Sequence, residues 1–186
     1  MNESKTIFEG RWLRLRQRGT WEYVERTNPG GAAIIIAVTP DDGVLLVEQF
    51  RVPIQSLTLE FPAGLIGDEA AFSSESAGAT AQRELEEETG WRASWIEHLH
   101  SGPSSAGMCT EVMHFFRAGA LSRVSAGGGV AGENIVVHEV PVDEVATFIA
   151  RKASDGFSVD PKVYAGLFFL HQSASGVRWP SRWWHS

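Results

Sequence analysis

Cysteine is nearly absent from this chain of 186 residues: Cys109 stands alone, which excludes an internal disulfide framework and any zinc cluster built on cysteines. Long hydrophobic runs are missing as well. The longest uninterrupted apolar stretch, 32–38, is far shorter than the roughly 20 residues of a membrane-spanning helix. The start, Met1-Asn2-Glu3-Ser4-Lys5, has neither the basic segment nor the apolar core of a secretory leader. Positive charge is in deficit, with 16 Lys+Arg against 23 Asp+Glu and a net charge of −7. That balance argues against nucleic acid or an anionic membrane as partner. Nor is there a GxSxG elbow, a Walker loop or an HExxH pair. The expectation is a cytoplasmic protein, in which an anionic ligand requires a bound cation or a local basic patch.

What remains is ordinary globular composition, 43% hydrophobic and 21% charged, at a length suited to one domain with small appendages. Residues 1–30 are polar and aromatic and alternate with period two across Gly19-Thr20, which predicts a hairpin outside the main core. A main domain follows over 31–174, and 175–186 form a tail rich in Trp and Arg, including Arg178, Trp179, Arg182, Trp183 and Trp184. Strands are expected at 33–38, 44–50, 57–61, 111–118 and 134–140. The first two are joined by the turn Thr39-Pro40-Asp41-Asp42-Gly43. Helices are expected at 75–89 after a cap at Ser73-Ser74 and before Gly90, at 143–152, and from Asp160-Pro161 to about 172. This mixture is an α/β chain with helices covering a sheet. The glycine-rich stretch 122–132 is expected to be a mobile loop.

The chemistry concentrates in Arg83-Glu84-Leu85-Glu86-Glu87-Glu88-Thr89-Gly90. On a helix Glu84, Glu87 and Glu88 share one face, while Glu86 points elsewhere. Solvated like charges at this spacing cost only about 0.2–0.5 kcal/mol per pair, which a wet acidic face tolerates. Their position in the last helical turns adds about 0.3–1 kcal/mol each against the helix dipole. Partly desolvated, two carboxylates ~5 Å apart repel by roughly 3 kcal/mol at an effective dielectric of 20. A hard divalent cation removes that repulsion. Charge and spacing alone leave a solvated face and a metal site equally open.

The surroundings of this segment carry a resemblance. Gly64, Glu75 and the run from Arg83 to Trp91 resemble the signature of the Nudix hydrolase family. That signature is a glycine, five residues, Glu, seven residues, then Arg-Glu-aliphatic-x-Glu-Glu-x-Gly-aliphatic. The second half matches at each fixed position. In the first half ten residues separate Gly64 from Glu75, so an insertion of five lies within 65–74, and Asp68, Glu69 and Glu75 compete as the first acid. Outside this box, Trp21-Glu22-Tyr23-Val24-Glu25-Arg26-Thr27, Glu48-Gln49-Phe50-Arg51, Leu59-Glu60-Phe61-Pro62-Ala63-Gly64-Leu65-Ile66 and Val159-Asp160-Pro161-Lys162-Val163-Tyr164 resemble the ADP-ribose and ADP-sugar pyrophosphatase branch.

The resemblance implies a Nudix-type α/β/α sandwich on a mixed sheet, preceded by a small N-terminal antiparallel β extension. It implies a homodimer whose N-terminal strands reach the partner. The implied reaction is Mg²⁺-dependent hydrolysis of ADP-ribose, or a related nucleoside diphosphate sugar, to AMP and ribose 5-phosphate, with Mn²⁺ as substitute. Other nucleotide sugars or dinucleoside polyphosphates are the alternative substrates, and a non-catalytic ADP-ribose sensor is the alternative class. Carried over residue by residue, Glu84, Glu87, Glu88 and the Ala63 carbonyl are metal ligands, and Arg83 fixes a carboxylate. Glu133 is the base, or another metal ligand. Trp12 and Trp21 clamp adenine, Arg51 meets a phosphate or the terminal ribose, and Glu60 and Glu111 belong to the substrate site. Ala106 stands where the second proline of the usual Pro-Ser-Pro-Gly loop is found. His98, His100 and Cys109 have no neighbours in sequence that would recruit them.

Overall fold

Two aliphatic runs organise the main domain because each is buried on both faces. They are β4 (Ala32–Ala37) and β5 (Gly43–Arg51), joined through a turn in which Asp42 takes a left-handed φ of 59°. Ile34, Ile36, Val44 and Leu46 pack with Val145 and Ile149 of α2 (Val145–Ser154) and with Val163 and Leu170 of α3 (Pro161–His171). The alternate residues Ala33, Ile35, Ala37 and Leu45 pack with Ala81 and Leu85 of α1 (Ala77–Thr89). Opposite faces of the same strands therefore meet helices on opposite sides, and the result is three layers. The computed structural model describes residues 3–27, 30–68, 72–130 and 132–171.

β4 lies between the short β7 (Ala63–Leu65), antiparallel to it, and β9 (Val112–Arg123), parallel to it; β8 (Trp91–Pro103) closes that sheet beside β9. β5 lies between β10 (Val136–Pro141) and β6 (Ser56–Glu60), with β11 (Ser158–Val159) parallel to β6 at the edge. The sheets are mixed, as an α/β/α sandwich requires.

The N-terminal segment is a three-stranded antiparallel sheet rather than a simple hairpin. β1 (Lys5–Glu9) adds to the pair β2 (Leu13–Arg18) and β3 (Trp21–Arg26) around the expected turn at Gly19. None of the residues in these strands is fully buried. The sheet joins the main domain through Val24, whose N–H donates to Met108 O at 2.8 Å and whose carbonyl accepts from Thr110 N at 3.1 Å.

Four sequence expectations shift. The first helix begins at Ala77, because the Ser76 hydroxyl, not Ser73 or Ser74, accepts the Ala79 N–H at 3.2 Å. β8 is a strand that polar residues such as Arg92, Glu97, His98 and His100 conceal in the sequence, since much of it is exposed at the edge. β9 continues to Arg123, well past 118. The stretch after it, expected to be mobile, is fastened to α1 by hydrogen bonds described below. The tail tryptophans, Asn28-Pro29 and Glu69 lie outside the described residues.

Close packing of α3 holds β6 and the chain leading to β7. A Cβ built on Gly166 would lie 2.2 Å from the ring of Phe61, itself 1% exposed. Gly166→Ala gains helix propensity of about 1 kcal/mol but overpacks by about 1–3 kcal/mol. A lower urea midpoint with unchanged m-value is expected; a raised midpoint would show that Phe61 yields without cost.

Candidate active site

α1 ends where Gly90 adopts a left-handed φ of 76°. The last carbonyls of a helix lack internal partners, and here the loop after β9 supplies them. Val124 N donates to Gly90 O at 2.8 Å, Gly128 N to Glu88 O at 2.8 Å and Gly129 N to Glu87 O at 3.0 Å. Glycine is required on both sides of this contact: a Cβ on Gly90 would lie 2.3 Å from Ser125 O, and one on Gly127 2.4 Å from Thr89 C. The glycines of this loop thus bring the segment carrying Glu133 against the acidic end of α1.

On the other side β7 passes directly beneath the carboxylates. A Cβ on Gly64 would fall 2.0 Å from Glu84 Oε1, so only glycine admits this side chain. The neighbouring Ala63 N–H donates to Glu88 Oε2 at 3.0 Å. Glu88 is 6% exposed. Burial, with Glu84 and Glu133 adding to it, pushes its pKa well above the usual carboxylate range, against the pull of the Ala63 N–H and of Arg51. Burial also raises Glu84, to about 7, with Glu87 and Asp68 reinforcing the shift and Arg83 opposing it.

Arg83 is the hub of the acidic face. Its Nη1 lies 2.9 Å from Glu84 Oε1 and 2.8 Å from Glu87 Oε2, the latter an i,i+4 contact. Its Nη2 and Nε reach Glu75 Oε2 at 3.2 and 3.3 Å. Burial works against the charge, but Glu75, Glu84 and Glu87 together hold the guanidinium firmly protonated. Of the two competing acids that are described, Glu75 is the one bonded to Arg83; Asp68 is exposed and acts on Glu84 through its field. Glu86, as its phase demands, faces away and pairs with Arg92 at 2.7 Å.

β7 also forms one wall of a cleft of about 530 Å³. Arg51, Glu60, Ala63 and Glu111 line it, as do Arg26, Asp160 and Lys162, which sequence reasoning did not single out. Each cation already has a carboxylate. Arg51 forms a two-pronged bond to Glu60 at 2.6 and 2.8 Å, Arg26 meets Glu111 at 2.6 Å, and Lys162 contacts Asp160. The Glu60 pair raises the Arg51 pKa. Arg26 and Lys162 were visible as isolated charges within the stretches 21–27 and 159–164, but neither sits in a pattern that marks it for chemistry. Trp12 and Trp21 do not line this cleft; they stand 60% and 65% exposed on the N-terminal sheet. Glu133 turns its Oε2 back to the Val130 N–H at 3.1 Å, within the electrostatic reach of Glu88.

The NUDIX domain family model matches residues 28–162. The methanol dehydrogenase activator of Bacillus methanolicus is 31% identical over 157 residues, covering 81% of this chain and 82% of that protein. The ADP-sugar pyrophosphatase of Mus musculus is 31% identical over 206 residues, covering 97% of this chain and 91% of that protein. A solved structure of an ADP compounds hydrolase superposes with a TM-score of 0.64 at 20% identity, covering 91% of this chain and 90% of the other. The chain belongs to the Nudix family of hydrolases.

Nudix hydrolases generally use divalent metal ions, and the donor set here suits a hard cation. Glu84 and Glu88 are carboxylates pressed together by burial, with their ionisation suppressed and Glu133 adding to the repulsion on Glu88. Among the described residues, no group of three or more His, Cys, Asp or Glu side chains stands in a ready ligand arrangement. Arg83 bonds both Glu84 and Glu87.

These shifts carry a pH signature. A carboxyl whose folded pKa lies above its unfolded value takes up a proton on folding, so stability falls as pH rises between the two. For Glu84 that window runs from the ordinary 4.5 to about 7. In EDTA, the melting temperature should decline across it, and Glu84→Gln should make the decline shallower, Glu88 accounting for the remainder. An equal slope in the variant would show that Glu84 ionises normally.

Proposed function

We propose that this chain hydrolyses the pyrophosphate bond of ADP-ribose, or of a closely related nucleoside diphosphate sugar, releasing AMP and ribose 5-phosphate. The observation that carries this reading is Glu88: a nearly buried carboxylate crowded by Glu84 and Glu133 and held by the N–H of Ala63, which lines a cleft holding Arg26, Arg51 and Lys162. Glu84 and Glu88, with Glu87 and the Ala63 carbonyl, would hold Mg²⁺, or Mn²⁺ in its place. A divalent ion there neutralises diphosphate oxygens and lowers the pKa of a coordinated water.

The chain's own residues supply the rest. Arg51 presents the two-pronged fork that matches a phosphate, held ready by Glu60. Glu133 accepts the proton of the attacking water; its carboxylate now bonds only a backbone N–H of its own loop among the contacts described, and that bond is readily exchanged. Arg83 keeps Glu84 and Glu87 in place. Trp12 and Trp21 stack adenine across a homodimer. The support for that dimer is the N-terminal sheet: it exposes Ile7, Phe8, Trp12, Leu13 and Trp21 and has no buried core of its own. The single cysteine suits a cytoplasmic setting.

Glu133→Gln should lower kcat by about 10²–10⁴-fold, the usual worth of a general base, while leaving the melting temperature within a few degrees. A coupled phosphate-release assay over a panel of nucleoside diphosphate sugars and dinucleoside polyphosphates, with and without Mg²⁺, measures this. Full turnover by Glu133→Gln across pH would remove it from the chemistry, and absence of cleavage by the unaltered protein would leave the sensor alternative.

Stacking on an aromatic ring contributes about 1–3 kcal/mol per base. Trp21→Ala is therefore expected to raise KM for ADP-ribose by roughly five- to 150-fold with little change in kcat. Equal kinetics would show that this ring packs at an interface and does not touch the base.

A further inference from the structure

The insertion in 65–74 lengthens the segment between Gly64 and Glu75 and delivers an aromatic ring to the hub of the acidic face. Phe72 lies with its ring centroid 4.4 Å from Arg83 Cζ, within the range of a cation–π contact. Phe72 belongs to neither buried core, nor is it among the partly buried residues packed against them. Its partner in this loop is the guanidinium.

The guanidinium is held at its edges. Nε and Nη2 point to Glu75, and Nη1 divides between Glu84 and Glu87. These edge contacts all go to acidic residues, and the Phe72 ring adds an aromatic contact centred 4.4 Å from Cζ. That contact helps shield a group whose side chain is only 16% exposed. Position matters because a single nitrogen serves both Glu84 and Glu87. A small rotation would release one of them.

We infer that Phe72 is a positioning residue: its ring holds Arg83 in place so that Nη1 straddles Glu84 and Glu87, ordering both carboxylates for a divalent cation. The inference rests on the metal-dependent reading above. It gives the insertion a task at the site beyond lengthening a surface loop, and it places the aromatic face, not the apolar bulk, at the centre of that task.

The test compares unaltered protein with Phe72→Tyr, Phe72→Trp and Phe72→Leu. Mn²⁺ binding is followed by the electron paramagnetic resonance of free Mn²⁺, without substrate. Phe72→Leu keeps apolar bulk but has no ring face, and should raise the Mn²⁺ dissociation constant about three- to tenfold, the scale of one cation–π contact. Phe72→Tyr and Phe72→Trp should stay within about twofold of the unaltered protein. KM for ADP-ribose at saturating metal should be unchanged in all three. Equal Mn²⁺ affinity in Phe72→Leu would overturn the inference, as would equal loss in the leucine and aromatic variants, which would mean that shape alone matters. The outcomes separate from the proposed reaction. Cleavage of nucleoside diphosphate sugars with flat Mn²⁺ affinity across the variants sinks the role of Phe72 and leaves the reaction. The predicted affinity pattern in a protein that cleaves none of them sinks the reaction and leaves the role.

Discussion

The close approach of α1 to the backbone of β7 is the constraint on which the site depends. Glu84 lies where any side chain at position 64 would stand, and Glu88 bonds the Ala63 N–H. Two carboxylates are thereby removed from water at the C-terminal end of a helix, where the dipole already disfavours negative charge. Left uncompensated, this is a destabilising arrangement. Arg83 offsets part of it, but its bonds go to Glu75, Glu84 and Glu87 and none of them reaches Glu88. Among the described residues, Glu88 takes a hydrogen bond from the Ala63 N–H and feels the more distant field of Arg51.

The helix end is fixed from outside the helix. Backbone N–H groups of the loop at 124–129 take the last carbonyls of α1, and the positive-φ glycines Gly90 and Gly127 allow the two chains to touch. The same loop leads to Glu133, whose charge acts on Glu88. Capping and site assembly are thus one event: a loop that satisfies orphan carbonyls also delivers the third carboxylate. Loosening the loop would uncap the helix and withdraw Glu133 together, so the stability of this corner and the geometry of the site are coupled through backbone hydrogen bonds.

Much of this was legible from residue order. The phase of Glu84, Glu87 and Glu88 against Glu86 follows from helical geometry, and Gly90 ends the helix as expected. Strands mixed with three helical stretches announced a sheet covered by helices. Three things were hidden for physical reasons. The glycine-rich loop looked mobile because its partners are helix carbonyls, which every sequence has and none displays. β8 was masked because an edge strand alternates weakly, with polar residues on much of its surface. Arg26 and Lys162 escaped notice because a cation earns its place in the cleft by where β3 and α3 converge, and no local pattern records that.

The cleft shows the complementary electrostatic logic. Arg26, Arg51 and Lys162 would repel one another across an empty pocket, and each is instead held by a carboxylate from a different element: Glu111 beside β9, Glu60 in β6 and Asp160 before α3. The Arg26–Glu111 and Lys162–Asp160 pairs are partly exposed and contribute only about 0–1 kcal/mol each, so they keep their cations near the cleft at little net cost. Glu60 differs: its side chain is 4% exposed, and Arg51 compensates its burial. On the proposed reading, a diphosphate in the cleft would compete with the carboxylates for these donors. The acidic end of α1 presents the opposite case, negative charge with too few cations. On the same reading, an anionic ligand set against that end would need a divalent ion between them, whereas the cleft already offers it cations. The wall that separates the two regions is β7, three residues long, and its glycine is what lets Glu84 lie directly against the strand.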